Sequence, residues 1–164
     1  MLTEGQKKLL EELKNNLAKS VPEAKISQSD YVLTGYHLEF SSSKVGMRRV
    51  AKEMRSRRFN LETVTAVDFI DSFEIVYLYF NYNQDNIRVM VRIRVPKDEP
   101  PFTVSAVYSE AIWLEREVYD FFGIQFKEHP DLRRILNPDD ADYFPLLKNF
   151  GKTTITGEID DMLC

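Results

Sequence analysis

The side chains best suited to chemistry are concentrated between Trp113 and Leu136, where acids, bases and aromatic rings are mixed. Glu115 and Glu117 are the first candidates, because two carboxylates can act as a general acid and a general base. On a helix, however, residues two positions apart point about 200° apart, so these carboxylates cannot flank one scissile bond. The pair therefore does not predict an acid–base site.

Other kinds of reactive site are poorly supported as well. The chain has one cysteine, Cys164, so its thiols cannot build an iron–sulfur cluster, a structural zinc site or a disulfide. Its two histidines, His37 and His129, form no H-x-x-x-H pair, and a hydrogen-bonded turn residue is the favoured interpretation of His129. No nucleophile-elbow, dinucleotide-binding or Walker motif occurs. Catalysis or metal binding by this chain alone is not expected.

The composition is that of one ordinary globular domain. The chain has 164 residues, of which 43% are hydrophobic, and a net charge of −4, which argues against nucleic acid as the main partner. The longest apolar run, 75–80, is too short to cross a membrane, and the N-terminus has no apolar signal core. We therefore expect a soluble cytoplasmic protein that meets a membrane only through a partner.

The first half of the chain predicts two helices and an extended segment. Residues 3–19 form the first helix, with Thr3 as N-cap and Gln6 completing a capping box. Residues 30–40 indicate a strand or a bent pair of strands, with Gly35 as a kink or bulge.

Ser41–Ser43 offer caps for a second helix that ends near Arg58, with an apolar stripe of Met47, Val50, Ala51 and Met54. The many cations of this helix indicate a solvated face or, less strongly, a docking patch for an acidic partner or a lipid surface.

Three strands follow, over 60–71, 73–82 and 87–95, with a hairpin loop at 83–86 between the last two. From Ile87 to Val95 apolar and polar residues alternate completely, which is typical of a strand with one face on a core. Consecutive hairpins flanked by helices predict a single α+β domain whose sheet is mostly antiparallel.

A third helix over 107–122 carries the most informative pattern. Ser105 is its expected N-cap and Gly123 its expected end. A helical wheel separates a core stripe from Trp113, Arg116 and Asp120, with Glu117 at the flank. Two interpretations remain open. This side either contacts a partner, since Trp and Arg dominate buried interfaces, or is covered by a C-terminal segment of the same chain.

Beyond Gly123 the pattern weakens. His129-Pro130-Asp131 marks a turn, and Asp131 is an expected cap for a short segment from Leu132 to Leu136. From Asn137 apolar residues occur without a period, as in Tyr143, Phe144 and Leu146. The expected organisation is a domain over 1–136 and an extended partner-binding tail over 137–164.

The same residues carry a resemblance to a known family. Glu115-Arg116-Glu117, Asp120-Phe121-Phe122-Gly123-Ile124 and His129-Pro130-Asp131-Leu132-Arg133-Arg134-Ile135-Leu136 resemble the signature of the complex I 30 kDa subunit, a component of NADH dehydrogenase. The continuous resemblance covers about 105–140. Its fixed spacing is highly specific, and the α+β pattern is compatible over the whole chain.

The resemblance implies a cofactor-free structural subunit in the peripheral cytoplasmic arm of a membrane-bound oxidoreductase coupled to ion pumping. Its implied partners are a large subunit related to the [NiFe]-hydrogenase catalytic chain and adjacent iron–sulfur subunits. Iron–sulfur clusters and NiFe, flavin or quinone would then lie on those partners. The residues expected at the partner interface are Trp113, Glu115, Arg116, Glu117, Asp120, His129, Asp131, Arg133, Arg134, Tyr143, Phe144 and Leu146.

One position departs from the pattern of quinone-reducing members. Leu147 stands where that pattern has an arginine, within Tyr143-Phe144-Pro145-Leu146-Leu147-Lys148-Asn149-Phe150. This departure puts a salt bridge of the tail in doubt. It also favours, weakly, a complex of the energy-converting hydrogenase or archaeal type over an NADH:quinone oxidoreductase.

A second functional class remains as an alternative. Arg88, Arg92 and Arg94 on one strand and Tyr77 and Tyr79 on its neighbour could form a sheet face that stacks the bases of single-stranded RNA. The net charge of −4 and the absence of an RNP-like motif argue against it.

Overall fold

The computed structural model describes residues 2–42, 46–82 and 86–151. It is an α+β fold, as predicted, and this part of the chain contains five strands and four helices. In order, the elements are α1 (Glu4–Ser20), β1 (Lys25–Gln28), α2 (Tyr31–Thr34), β2 (Leu38–Ser42), α3 (Met47–Ser56), β3 (Asn60–Asp68), β4 (Ser72–Asn81), β5 (Ile87–Pro96) and α4 (Ala111–Phe122).

The strands form one sheet in the order β1-β2-β5-β4-β3. All neighbouring pairs are antiparallel except β2 and β5, which run parallel with Leu38 opposite Val89. A parallel pair needs a crossover connection, and here the chain between β2 and β5 supplies it through α3 and the β3–β4 hairpin. β3 and β1 are the two outer strands of the described sheet.

One core lies between a single face of the sheet and the helices. The alternation predicted for β5 is confirmed, since Ile87, Val89, Val91, Ile93 and Val95 are all buried, whereas Met90 and the arginines lie on the other face. They join the buried residues of α1, α3 and α4 in one cluster. The apolar stripe of α3 predicted from the sequence is likewise buried in full.

The other face of the sheet has no helix packed on it among the described residues and carries charge pairs across neighbouring strands. Arg88 binds Glu62 through two nitrogens, at 2.6 and 3.0 Å. Arg92 lies 2.9 Å from both Glu39 and Glu74. These cross-strand pairs neutralise most of the cationic character that the sequence showed on β5.

The RNA-binding alternative is wrong on this geometry. Tyr77 and Tyr79 are fully buried in the core. They are paired with Val91 and Val89 of β5, so they share the face of the buried valines and point away from Arg88 and Arg92. Because successive side chains of a strand alternate between faces, these tyrosines and arginines cannot form one base-stacking surface.

The prediction for the first helix is confirmed in its details. The Thr3 hydroxyl accepts a hydrogen bond from the Gln6 amide, and the Gln6 side chain accepts one from the Thr3 amide. This reciprocal capping box satisfies two amides that would otherwise lack a partner at the helix start.

The prediction of a strand or bent pair over 30–40 was wrong for its first half. Asp30 accepts a hydrogen bond from the Val32 amide and caps the short helix α2. Gly35 ends that helix in a left-handed conformation, with φ of 78°. Only then does the chain extend into β2, and β1 precedes α2 where no strand was predicted. A side-chain cap thus overrides the β propensity of Tyr31 and Val32.

The starts of the later helices also differ from the sequence prediction. Ser41 and Ser42 belong to β2, and α3 begins after Gly46 instead; Ser43 lies outside the described residues. Helix α4 begins at Ala111, not near 107, because the Val104 carbonyl accepts bonds from two following amides in tight turns that precede the helix. Its predicted end at Gly123 is confirmed, with φ of 75°.

None of the helices in the described part of the chain is long and apolar enough to cross a lipid bilayer.

Candidate partner-binding site

The polar side of α4 is occupied first by this chain's own C-terminal segment. We call residues 131–151 the strap. Asp120, fully buried on α4, accepts hydrogen bonds from the successive strap amides of Ile135, Leu136 and Asn137 at 3.1, 2.7 and 3.0 Å. Its other oxygen binds Arg134 at 2.9 Å. The Asn137 side-chain amide donates to that same oxygen at 3.1 Å. One carboxylate therefore holds five donors of the strap.

The electrostatics of Asp120 follow from those donors. Burial alone would raise the pKa of the carboxyl, because it penalises the charged form. The bonds from the strap amides and from the Asn137 side chain favour the carboxylate and outweigh burial, so the pKa of Asp120 lies well below its usual range. Asp120 is therefore ionised throughout the physiological pH range, and the clamp stays formed.

Arg116 is buried one turn before Asp120 and forms the second clamp. Its guanidinium donates to the carbonyls of Arg133 and Arg134 at 3.1 and 2.9 Å and lies 3.6 Å from Asp131. The N–H groups at the edge of this guanidinium thus bind the strap. Its Cζ lies 4.6 Å from the centroid of the Trp113 ring, so the guanidinium also makes a cation–π contact. Burial removes the water molecules that would otherwise hydrate this guanidinium, and the backbone carbonyls and the aromatic ring take their place.

Trp113 itself remains 59% exposed. The two interpretations of this side of α4 thus each hold for part of it. The chain's own strap covers Arg116 and Asp120, whereas the Trp113 ring faces solvent on top of Arg116. Because the Arg116 guanidinium is held by the strap, its cation–π contact fixes the orientation of the Trp113 ring while leaving the ring exposed.

The described part of the predicted tail is attached to the domain by several contacts. Arg134 donates to the carbonyls of Ala141 and Tyr143 at 2.6 and 3.0 Å. The Phe144 ring lies over Gly123, where an added Cβ would be 2.8 Å from it. The Leu146 amide then donates to the carbonyl of Phe121 at 3.1 Å. Partner binding by 137–164 stays a prediction; residues 152–164, including Cys164, lie outside the described residues.

A buried acid lies on the opposite flank of α4. Glu115 is fully buried, accepts a hydrogen bond from the Val104 amide at 2.9 Å and is hydrogen-bonded to the Thr103 hydroxyl. Burial raises the pKa of Glu115 to about 7 even though these bonds and the charge of Arg48 favour the carboxylate. Near neutral pH this buried carboxyl is therefore present in both its protonated and its ionised form.

His129 lies 3.9 Å from Glu115, and both side chains are fully buried. Its Nδ1 accepts from the Asp131 amide at 3.1 Å, so Nε2 carries the proton and donates to the carbonyl of Ile112 at 3.1 Å. Burial lowers the pKa of His129, which keeps the ring neutral. The prediction of a hydrogen-bonded turn residue is confirmed.

The twelve predicted interface residues thus separate into three groups. Glu115, Arg116 and Asp120 are buried and bind this chain's own segments; their contact with a partner stays a prediction. Their charges are used to hold the 123–137 turn and the strap. Trp113, Glu117, Asp131, Arg133, Tyr143 and Leu146 are exposed, and His129, Arg134 and Phe144 support them from below.

One local prediction fails here. Asp131 caps no helix over Leu132–Leu136, because the amides from Ile135 onward bind the Asp120 carboxylate and not a preceding turn. Thr103 and Asn137 were not predicted as site residues, although their side chains are hydrogen-bonded to the carboxyl groups of Glu115 and Asp120. Neither falls in a periodic pattern, so no local signal marked them. In the described part of the chain, no three acidic, histidine or cysteine side chains converge as a metal site would require.

Comparisons with known proteins agree on the family. Residues 40–155 match the family model described as "Respiratory-chain NADH dehydrogenase, 30 Kd subunit". A subunit of the NADH-quinone oxidoreductase of Geobacter sulfurreducens is 46% identical over 113 residues, covering 65% of this chain and 67% of the relative. Its counterpart in Cereibacter sphaeroides is 34% identical over 144 residues, covering 80% and 71%.

A solved structure, "Nqo5 of the trypsin-resistant fragment (1-134) in P63 form", superposes with a TM-score of 0.61 at 27% identity. The match covers 77% of this chain and 98% of that one. The aligned region is about two thirds of the length of the Geobacter sulfurreducens relative. The family match spans most of the sheet, α4 and the strap, and the chain therefore belongs to the family of the respiratory-chain NADH dehydrogenase 30 Kd subunit.

Proposed function

We propose that this chain is a cofactor-free assembly subunit in the peripheral arm of an NADH-quinone oxidoreductase. In this proposal it binds a neighbouring subunit through Trp113 and the exposed strap residues beside it. The observation that carries the proposal is the state of Trp113: a large aromatic ring 59% exposed, yet held on a buried arginine. A ring fixed before binding loses little conformational freedom when a partner covers it.

The energetics favour contact over a solvated role for this ring. Burying an aromatic side chain stabilises a complex by about 2 kcal/mol or more, and tryptophan is the residue type most enriched among interface hot spots. Leu136 and Leu146, at 70% and 52% exposed, add apolar surface on the strap. Arg133 and Glu117 supply exposed charges of both signs, as in the polar rim of a typical interface.

The partners follow from the family resemblance. We propose a large subunit related to the [NiFe]-hydrogenase catalytic chain as the direct neighbour, with iron–sulfur subunits next to it and the whole arm on the cytoplasmic side of the membrane. The iron–sulfur clusters, flavin and quinone site would belong to those subunits. Support within this chain comes from its single cysteine and from carboxylates and histidines that serve internal hydrogen bonds.

The quinone-reducing type is favoured over the hydrogenase type. Leu147 in place of an arginine was the argument for a hydrogenase-like complex, and it concerns one position of the tail. The relatives with substantial identity are named as subunits of NADH-quinone oxidoreductases. We therefore propose NADH as the electron donor and a quinone as the acceptor of the assembled complex.

The test is copurification from detergent-solubilised membranes of the native host, using a tagged chain at its natural level. Trp113→Ala should reduce the recovery of the neighbouring subunits at least tenfold, the equivalent of about 1.4 kcal/mol. The unfolding free energy of the isolated chain should change by about 1 kcal/mol or less, the size of an exposed cation–π contact.

Tyr82→Ala is the matched control, because Tyr82 is 65% exposed and lies after β4, away from α4. It should assemble like the wild type. Recovery of the wild-type chain as a lone monomer would overturn the proposed function. Full assembly of the Trp113→Ala variant would remove Trp113 from the interface.

A further inference from the structure

The outer edge of β3 is open in the described part of the chain. β3 is the last strand of the sheet, nine residues long, and its backbone pairs with β4 on one side only. In an outer strand, every second residue directs its N–H and C=O away from the sheet. No described backbone group pairs with these outward groups between Asn60 and Asp68.

This edge has few of the devices by which proteins block strand addition. The strand contains no proline and no lysine, and its one irregularity lies near its start, between Leu61 and Thr63. Glu62 is bound by Arg88, and Asp68 by Lys97 and by the Lys148 amide of the strap, so neither carboxylate projects freely and the strap contacts the last residue of the strand. A regular stretch of backbone from Thr63 to Val67 is left available.

A groove runs beside the same stretch. It has a volume of about 160 Å³ and lies between β3 and α4. Its lining is mixed: Val64, Val118, Phe121, Phe122 and Leu146 are apolar, and Thr63, Thr65 and Glu117 are polar. Such a groove can receive alternate side chains of an added strand, while the edge supplies main-chain hydrogen bonds. The rim carries Glu117, which is exposed and forms no ion pair within the described residues.

From this geometry we infer that β3 accepts an extended segment of a neighbouring subunit as a sixth strand. Alternate apolar side chains of that segment enter the groove, and a lysine or arginine faces Glu117. The inference rests on the proposed function, because it supplies the second contact of the same assembly. A second copy of this chain fits the edge less well, since it would bring a second Glu117 to an acidic rim.

The first experiment compares amide hydrogen exchange of peptides covering 60–68 in the isolated full chain and in the purified complex. The outward amides should exchange at least tenfold more slowly in the complex. Equal exchange in the two states would overturn the inference. If the isolated chain is already protected, and loses that protection on truncation after Gly151 or on dilution, then its own tail or a second copy occupies the edge. Either result overturns the partner assignment.

The second experiment places lysines on the edge, as natural edge strands do to prevent pairing. Thr63→Lys/Thr65→Lys should lower the recovery of neighbouring subunits at least tenfold while the isolated chain stays folded. Ser27→Lys/Gln28→Lys makes the same change on β1, the opposite outer strand, and should assemble normally.

Glu117→Lys provides an independent variant outside the strand and should also weaken assembly. Normal assembly of both the double variant and Glu117→Lys would overturn the inference. If Trp113→Ala still disrupts the complex in that case, the proposed function stands without it.

Discussion

The protonation of Glu115 offers the most direct test of the energetics of α4. The carboxyl has no solvent contact, and its nearest polar neighbours are a hydroxyl, an amide and a neutral imidazole. The Thr103 hydroxyl has one proton and lies between Glu115 and the Ser105 hydroxyl, 2.8 Å from the latter. If Glu115 is protonated it donates to Thr103, and Thr103 donates onward to Ser105. The same contacts can therefore satisfy the neutral acid as well as the carboxylate, and burial favours the neutral form.

The magnitude follows from the pKa, which rises from its ordinary 4.5 to about 7. The folded state binds this proton more tightly than the unfolded chain does, so the free energy of unfolding is greatest below pH 4.5. It falls as pH rises and levels off above about 7. Between pH 5 and pH 8 the loss due to this single group is about 2.5 kcal/mol.

Glu115→Gln should abolish that loss. The glutamine can keep the bond from the Val104 amide through its oxygen and donate to Thr103 through its nitrogen. Urea unfolding at pH 5 and pH 8 gives the free energy of unfolding of each protein. The difference in free energy of unfolding, variant minus wild type, should rise by about 2.5 kcal/mol from pH 5 to pH 8. The contributions of all other titrating groups are the same in both proteins and cancel in this difference.

The control is Glu117→Gln, which removes one carboxylate from the exposed side of the same helix. It should show no pH-dependent difference of this size. A difference between wild type and Glu115→Gln that is the same at pH 5 and pH 8 would refute the reasoning. Glu115 would then be ionised in the folded protein at both pH values.

Two further changes test the strap. Asp120→Asn should lower the free energy of unfolding by about 3 kcal/mol at pH 7 and expose 131–151 to limited proteolysis, because an amide nitrogen then faces backbone donors. An unchanged cleavage pattern would contradict the clamp. Gly123→Ala should cost about 1 kcal/mol more than Gly35→Ala by urea unfolding; both have positive φ, but only at Gly123 would the Cβ meet a side chain, that of Phe144. Equal costs would show that this contact relaxes freely.

The parts of the fold that were predictable are those in which a local signal agreed with the tertiary structure. β5 is the plainest case, because its strict alternation from Ile87 to Val95 matches a strand with one buried face. The end of α4 at Gly123 and the capping box of Thr3 were also predictable, since each requires particular side chains at particular positions. In the last two, the interacting groups are close in sequence; in β5, the alternation itself marks the buried face although its partners are distant.

The errors arose where distant or competing contacts decide the structure. The β-branched run after Asp30 is helical, because a single carboxylate caps it. The start of α4 is displaced because the segment before it is tied to Glu115 through Thr103 and Val104. The intrachain role of Asp120 escaped sequence analysis for a similar reason: the amides that it binds lie some 15 residues further along the chain. Helical periodicity contains no information about such pairs.

These internal contacts explain why residues 113–137 form a signature with fixed spacing. After α4, the chain is anchored at Lys127, whose amide donates to Pro101, and at His129, whose ring donates to Ile112. Arg116 then donates hydrogen bonds to the carbonyls of 133 and 134, and Asp120 accepts hydrogen bonds from the amides of 135–137.

An insertion of one residue between 124 and 132 would move the strap backbone groups out of register with Arg116 and Asp120. These buried charges would then lack partners, and the free energy of unfolding would fall by several kcal/mol. The spacing is therefore required by folding of the strap alone. Within residues 113–137, Trp113 and the exposed groups beside it are the ones left available to a partner.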